Sequence, residues 1–108
     1  GMMHILDLIV ANGTDASETL APPGVGGNIT RPEEVHAVFG GRVAMIGGMD
    51  QFNILTSGGT EEIRRETQRL FAGFGPNGGY VCSASDHFFD TPVENLKAFA
   101  DAAKDCTY

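Results

Sequence analysis

Arg42-Val43-Ala44-Met45-Ile46-Gly47-Gly48-Met49-Asp50 and, further on, Gly78-Gly79-Tyr80-Val81-Cys82-Ser83-Ala84-Ser85-Asp86-His87 share one construction. Each is a short apolar run that ends in small and polar residues and leads into a helix start. A weaker copy, Thr14 to Leu20 before the loop Pro22 to Gly27, precedes them. A chain that alternates strand and helix builds a parallel sheet, and in such sheets the loops leaving the carboxyl ends of the strands carry the chemistry. Asp50, Asp86 and His87 therefore fall where an active site is expected.

Working outward, Met3 to Ala11 sets Ile5, Leu6, Ile9 and Val10 at helical spacing, and Asn12-Gly13 supplies a left-handed stop. Thr30-Arg31-Pro32-Glu33 has the form of a capping box for a helix running through Phe39 to Gly40-Gly41. Val43 to Ile46 reads as a strand buried on both faces, with Gly47-Gly48 a sharp turn after it. Thr60 is the expected cap of the next helix, whose inner face is Ile63, Leu70, Phe71 and Phe74 and which Gly75-Pro76 ends. Thr91-Pro92-Val93-Glu94 repeats the capping box, and Val93, Leu96, Phe99, Ala100 and Ala103 are the expected inner face of the last helix. The order is one helix and then three βα units. Three parallel strands do not close a barrel, which takes eight, so two edges and one sheet face stay open.

One domain is the natural reading of 108 residues. Seven basic against fourteen acidic side chains give a net charge of −7, which opposes binding to nucleic acid or to an anionic membrane and favours a small-molecule ligand. No apolar run is long enough to span a bilayer, and Met2 to Ala11 lacks the basic start and cleavage site of a signal peptide. Cys82 and Cys106 do not make a disulfide framework, and both read as reduced thiols of a cytoplasmic protein. Gly1 before Met2 has the look of a cloning remnant, so the reading frame is expected to open on a helix.

Asp86 and His87 are the expected catalytic pair, because a carboxylate beside an imidazole orients and retains a proton near neutral pH. The plainer alternative is a turn before Phe88-Phe89. Gly48, Met49 and Asp50 at the end of the second strand, with Glu18 at the end of the first, are the expected substrate-binding set; a solvent-facing Glu18 and a Met49 that belongs to the core are the plainer alternatives. Cys82, Asp86 and His87 are too few and too scattered along one strand for a zinc site, so no metal and no cofactor is expected. His4 and His36 read as surface residues of helices. The Gly24 to Gly27 loop lacks the Lys-Ser or Lys-Thr of a phosphate-binding loop.

Gly47-Gly48-Met49-Asp50, Ile54-Leu55, Phe74-Gly75-Pro76, Gly79-Tyr80-Val81 and the closing Pro92-x-Glu94-Asn95 resemble, in order and spacing, the carboxyl-terminal part of the uroporphyrinogen decarboxylase family. The resemblance runs from about Arg42 to Ala103 and is looser before it, where Asn12-Gly13-Thr14-Asp15-Ala16 resembles the family's helix-to-strand turn. It implies an α/β fold, the last three βα units of a (β/α)8 barrel of ~250 residues or more, preceded by one helix. It also implies cofactor-independent removal of carboxylates from the acetate groups of a tetrapyrrole, a lyase reaction of porphyrin biosynthesis. The family's carboxylate-holding, arginine-rich segment and its aspartate for the pyrrole nitrogens have no counterpart in these residues. Its histidine after the last strand aligns with Asp86, and His87 follows by one. Corrinoid-dependent methyltransferases of the same family place a zinc-binding cysteine there, so Asp86 argues against that zinc-thiolate chemistry.

Three expectations result. The first is a carboxyl-terminal piece of a decarboxylase-like enzyme, inactive alone; the second is a relative of the methylcobamide–thiol methyltransferases; the third is a noncatalytic module that assembles with itself. In each case the open edges and a face carrying Val43, Met45 or Val81 predict an oligomer, most simply a homodimer.

Overall fold

The computed structural model describes residues 1–107. Three strands, β1 (Ala16–Thr19), β2 (Ala44–Met49) and β3 (Tyr80–Ala84), form one parallel sheet in sequence order. They alternate with α1 (Leu6–Ala11), α2 (Pro32–Phe39), α3 (Thr60–Phe74) and α4 (Val93–Asp105). Short 3-10 turns cover Met3–Ile5 and Pro23–Val25, and a wide π-type helical segment, Gln51–Thr56, follows β2. The sheet is open at β1 and β3. No helix among the described residues is long and apolar enough to cross a membrane.

The helical stripe of α3 organises the core. Ile63, Thr67, Leu70 and Phe74 are buried, and the hydroxyl of Thr67 donates back to the Ile63 carbonyl at 2.7 Å, which satisfies a polar group in an apolar setting. Tyr80 enters this core from β3: its ring lies 5.0 Å from Phe74 and meets Phe71 edge-on, and its hydroxyl donates 2.6 Å to the Gly47 carbonyl. Met45 and Val43 are buried with it. α2 packs on α3 and α3 on α4, so the helices cover one face of the sheet and leave the other bare. That corrects the expectation that β2 is buried on both faces. Ala44 and Ile46 are only half-buried, and Val81, in register with Ile46, is 55% exposed.

Local signals were overridden at five points. Neither capping box forms: α2 and α4 begin without a side-chain cap, Glu33 pairs with Arg31 at 3.0 Å, and the Thr91 hydroxyl meets that of Thr56 at 2.8 Å. Thr60 is the first residue of α3 and Gly59 occupies the cap position. Gly47 and Gly48 continue β2 instead of ending it, with φ of 117° and 99°. Of the expected inner face of α4, Leu96 and Phe99 pack half-buried against the core and Ala103 is half-buried, but the fully buried residues are Asn95, Ala98 and Ala102, and Val93 and Ala100 are exposed. Asn95 shifts the phase because its amide donates to the carbonyls of Leu55 (2.9 Å), Thr56 (3.3 Å) and Gly58 (3.1 Å), closing the carboxyl end of the π-type segment. His36 is also no bare surface residue, since its Nε2 lies 2.8 Å from the Pro76 carbonyl and ties α2 to the loop before β3.

Candidate functional site

All three strands run the same way, so Glu18, Asp50, Asp86 and His87 share the carboxyl rim of the sheet, as the βα order requires. They do not form one cluster. Glu18, Asp86 and His87 line an open hollow of about 410 Å³ together with Thr19, Ser83, Ser85 and Phe88, and with Phe99 from α4. The register explains how β1 and β3 side chains meet across an intervening strand: Thr19, Gly47 and Cys82 stand in one row, and β2 contributes a glycine at that level. A Cβ on Gly47 would lie 2.9 Å from the Thr19 carbonyl oxygen, so only glycine fits.

Asp86 and His87 are held to each other. Asp86 Oδ1 accepts from the His87 backbone N–H at 2.7 Å and lies 2.7 Å from His87 Nδ1. The backbone N–H first, and the ring second, hold the Asp86 carboxyl below its usual range, so it is ionised at neutral pH. An ionised acceptor on Nδ1 places the ring hydrogen there and leaves Nε2 to exchange a proton with a ligand. Both side chains reach solvent, His87 at 89% and Asp86 at 63% relative exposure.

The expected substrate-binding set divides. Glu18 is on the hollow. Asp50 is 6% exposed and its carboxylate is engaged elsewhere: Oδ1 accepts from the N–H groups of Phe52 (3.0 Å) and Asn53 (2.8 Å), and Oδ2 from the Asn53 amide (2.9 Å). The same amide reaches the Gly24 carbonyl, so Asp50 caps the π-type segment and anchors the loop after β1. Met49 is fully buried in the core, and Gly48 faces Phe74, Leu70 and Tyr80. These three positions shape the rim without presenting side chains to the hollow.

The sequence reading missed Ser83 and Ser85. Strand alternation was the available signal, because both share the face of Val81 on β3 and its extension. Ser85 continues the ladder through its N–H to the Met49 carbonyl at 2.8 Å, is 3% exposed, and its Oγ has no hydrogen-bond partner. Leaving a buried hydroxyl unpaired costs about 1–3 kcal/mol. Cys82 is partly buried, and burial pushes its thiol above the ordinary range, which disfavours the thiolate that a metal needs. No group of three or more histidines, cysteines and carboxylates that could hold a metal ion occurs among the described residues.

A family model described as uroporphyrinogen decarboxylase (URO-D) matches residues 4–106 of the chain. The uroporphyrinogen decarboxylase of Pseudoalteromonas atlantica is 35% identical over 71 residues, which cover 65% of this chain and 19% of that relative. The chain thus spans about a fifth of the length of the curated relative it matches.

Proposed function

The chain belongs to the uroporphyrinogen decarboxylase family, and on that premise we propose that it forms the last three βα units of a decarboxylase barrel and supplies one wall of the active site. The observation that carries the reading is the convergence of Glu18, Asp86 and His87 on one hollow at the carboxyl rim of a parallel sheet. In decarboxylation the bond from carbon to carboxylate breaks, carbon dioxide leaves, and the carbon takes up a proton. His87, with Nδ1 engaged by Asp86, delivers that proton from Nε2. Asp86 keeps the ring oriented through that bond. No lysine or arginine lines the hollow, so the carboxylates of a tetrapyrrole have to be held by residues outside this wall. On this reading the chain by itself does not turn over substrate. The aspartate at position 86, where the methyltransferase relatives carry a zinc-binding cysteine, favours this chemistry over zinc-dependent methyl transfer.

The test is a graft. Incubated anaerobically with uroporphyrinogen, the chain alone should give no product above the no-protein control. The Pseudoalteromonas decarboxylase with its matching segment replaced by this chain's residues should decarboxylate. Turnover by the chain alone would overturn the wall reading, and a folded but inactive graft would overturn the catalytic one.

The chain in isolation is proposed to self-associate, most simply as a two-fold dimer. The outer edges of β1 and β3 are open, and Leu8, Phe52, Val81, Phe89 and Val93 are each more than half exposed. Val43 and Met45 take no part, being buried against the helices. Light scattering after size exclusion at micromolar concentration should give at least twice the 11.4 kDa chain mass; a monomer at all concentrations would refute the dimer.

A further inference from the structure

The segment that carries the Asp86–His87 pair is exposed at every residue from Asp86 to Asp90. Asp86 and His87 bond to each other, and among the described residues no hydrogen bond ties Asp86 through Asp90 to another element. An exposed stretch bonded only to itself does not fix a ring over a hollow, so the fixing has to come from its two ends. At the first end, the Ser85 N–H donates 2.8 Å to the Met49 carbonyl. At the second, the Thr91 hydroxyl lies 2.8 Å from that of Thr56. Proton counting gives this bond its direction. The Thr56 hydroxyl donates to the Gln51 carbonyl at 2.6 Å, so its one proton is committed and Thr91 is the donor to Thr56. The Phe89 carbonyl, 3.4 Å from the Thr91 hydroxyl, is the poorer acceptor. Asp90, next to Thr91, has φ 49°, and a residue other than glycine keeps a left-handed backbone where its surroundings over-determine it.

The base of this bond is itself fastened at both ends. The Asp50 carboxylate accepts from the N–H groups that start the π-type segment Gln51–Thr56, and the Asn95 amide donates to the carbonyls that end it. We propose that Thr91 is a positioning residue: its hydroxyl, bonded to Thr56 on the π-type segment, holds the Asp86–His87 pair in place on the hollow. The inference rests on the decarboxylase reading for what His87 does there, and deepens it by naming what keeps the ring where it acts. Adjacency in the chain makes the pair, and the Thr91 bond decides where the pair stands.

The experiment is NMR relaxation of the backbone amides in the whole chain, comparing the parent with Thr91→Val, which keeps the shape and loses the hydroxyl, and with Thr91→Ser, which keeps the hydroxyl. In Thr91→Val the order parameters from His87 to Asp90 should fall from about 0.85 to below about 0.6, the step from rigid to flexible backbone. Those of β3 and α4 should not change, and Thr91→Ser should keep the parent values. Thr56→Val removes the same bond from the other side and should reproduce the fall. Thr91 and Thr56 are both only half-buried, so these variants are expected to fold. In the grafted decarboxylase, Thr91→Val should lower kcat about tenfold with KM within about twofold, and Thr91→Ser should restore it, since a misplacement of about 1 Å costs up to ~10²-fold. Order parameters unchanged in Thr91→Val, or lowered as far in Thr91→Ser, would overturn the proposal. So would a graft in which Thr91→Val leaves kcat untouched while His87→Ala lowers it. A graft that is inactive with Thr91 in place condemns the decarboxylase reading alone, and the relaxation comparison on this chain still decides whether Thr91 fixes the pair.

Discussion

In the grafted decarboxylase, His87→Ala should lower kcat by roughly 10²-fold, the low end of what a positioned acid–base group contributes, and KM should move much less. The expectation follows from the ring's position: Nδ1 is fixed by Asp86, Nε2 is unengaged, and the side chain is open to the hollow. Asp86→Asn should fall less far, because the amide keeps the shape and loses the charge that favours an N–H on Nδ1. The pH profile carries a further sign. The folded-state Asp86 carboxyl sits below its ordinary range, so its charge and its bond to His87 persist through the usual carboxylate range and are lost only as pH falls through the lowered value. An acid limb at the pH of an ordinary exposed aspartate would mean that Asp86 does not hold the ring. Unchanged kcat in His87→Ala would remove the histidine from the chemistry.

Gly48→Ala should be strongly destabilising, costing about 2–5 kcal/mol from a left-handed backbone held by an L-residue and from overpacking together. Gly48 lies inside β2 at φ 99°, and a Cβ there would come within 2.9 Å of Phe74 Cε2, an atom of a fully buried ring that has nowhere to retreat. Gly13→Ala is the control. Gly13 has φ 77° with open space around it, so alanine there meets only the backbone term, about 1–2 kcal/mol. Urea titrations of the two variants isolate the packing contribution by difference. Equal midpoints would show that Phe74 yields and that Gly48 is there for conformation alone.

Much of the architecture is legible before any fold is known. The three apolar runs, their glycine and polar endings, and the apolar stripe of α3 determine a parallel βα order, and that order alone puts Glu18, Asp50, Asp86 and His87 on one rim. The adjacency of Asp86 and His87 is likewise written in the chain, and a carboxylate one residue from an imidazole can reach its ring without help from elsewhere. What these signals have in common is locality: each depends on residues within a turn or a strand of one another.

The tertiary structure decided everything that depends on a distant partner. Thr30-x-x-Glu33 and Thr91-x-x-Glu94 match the capping pattern, but Arg31 takes Glu33 and Thr56 takes Thr91. The apolar stripe of α4 runs through Val93, Leu96, Phe99, Ala100 and Ala103, and Leu96 and Phe99 do pack on the core, yet Asn95 is buried in place of Val93 and Ala100 because its amide meets three carbonyls from a segment nearly forty residues away. Asp50 looks like a ligand contact until the Asn53 side chain and the Gly24 loop close on it. Ser85 looks like a strand residue among others until the fold buries its hydroxyl without a partner. Periodicity and motif spacing describe the free energy of a segment with its own neighbours, whereas a buried polar group is assigned by whichever partner the packed chain brings within 3 Å or so, and no local pattern encodes that choice.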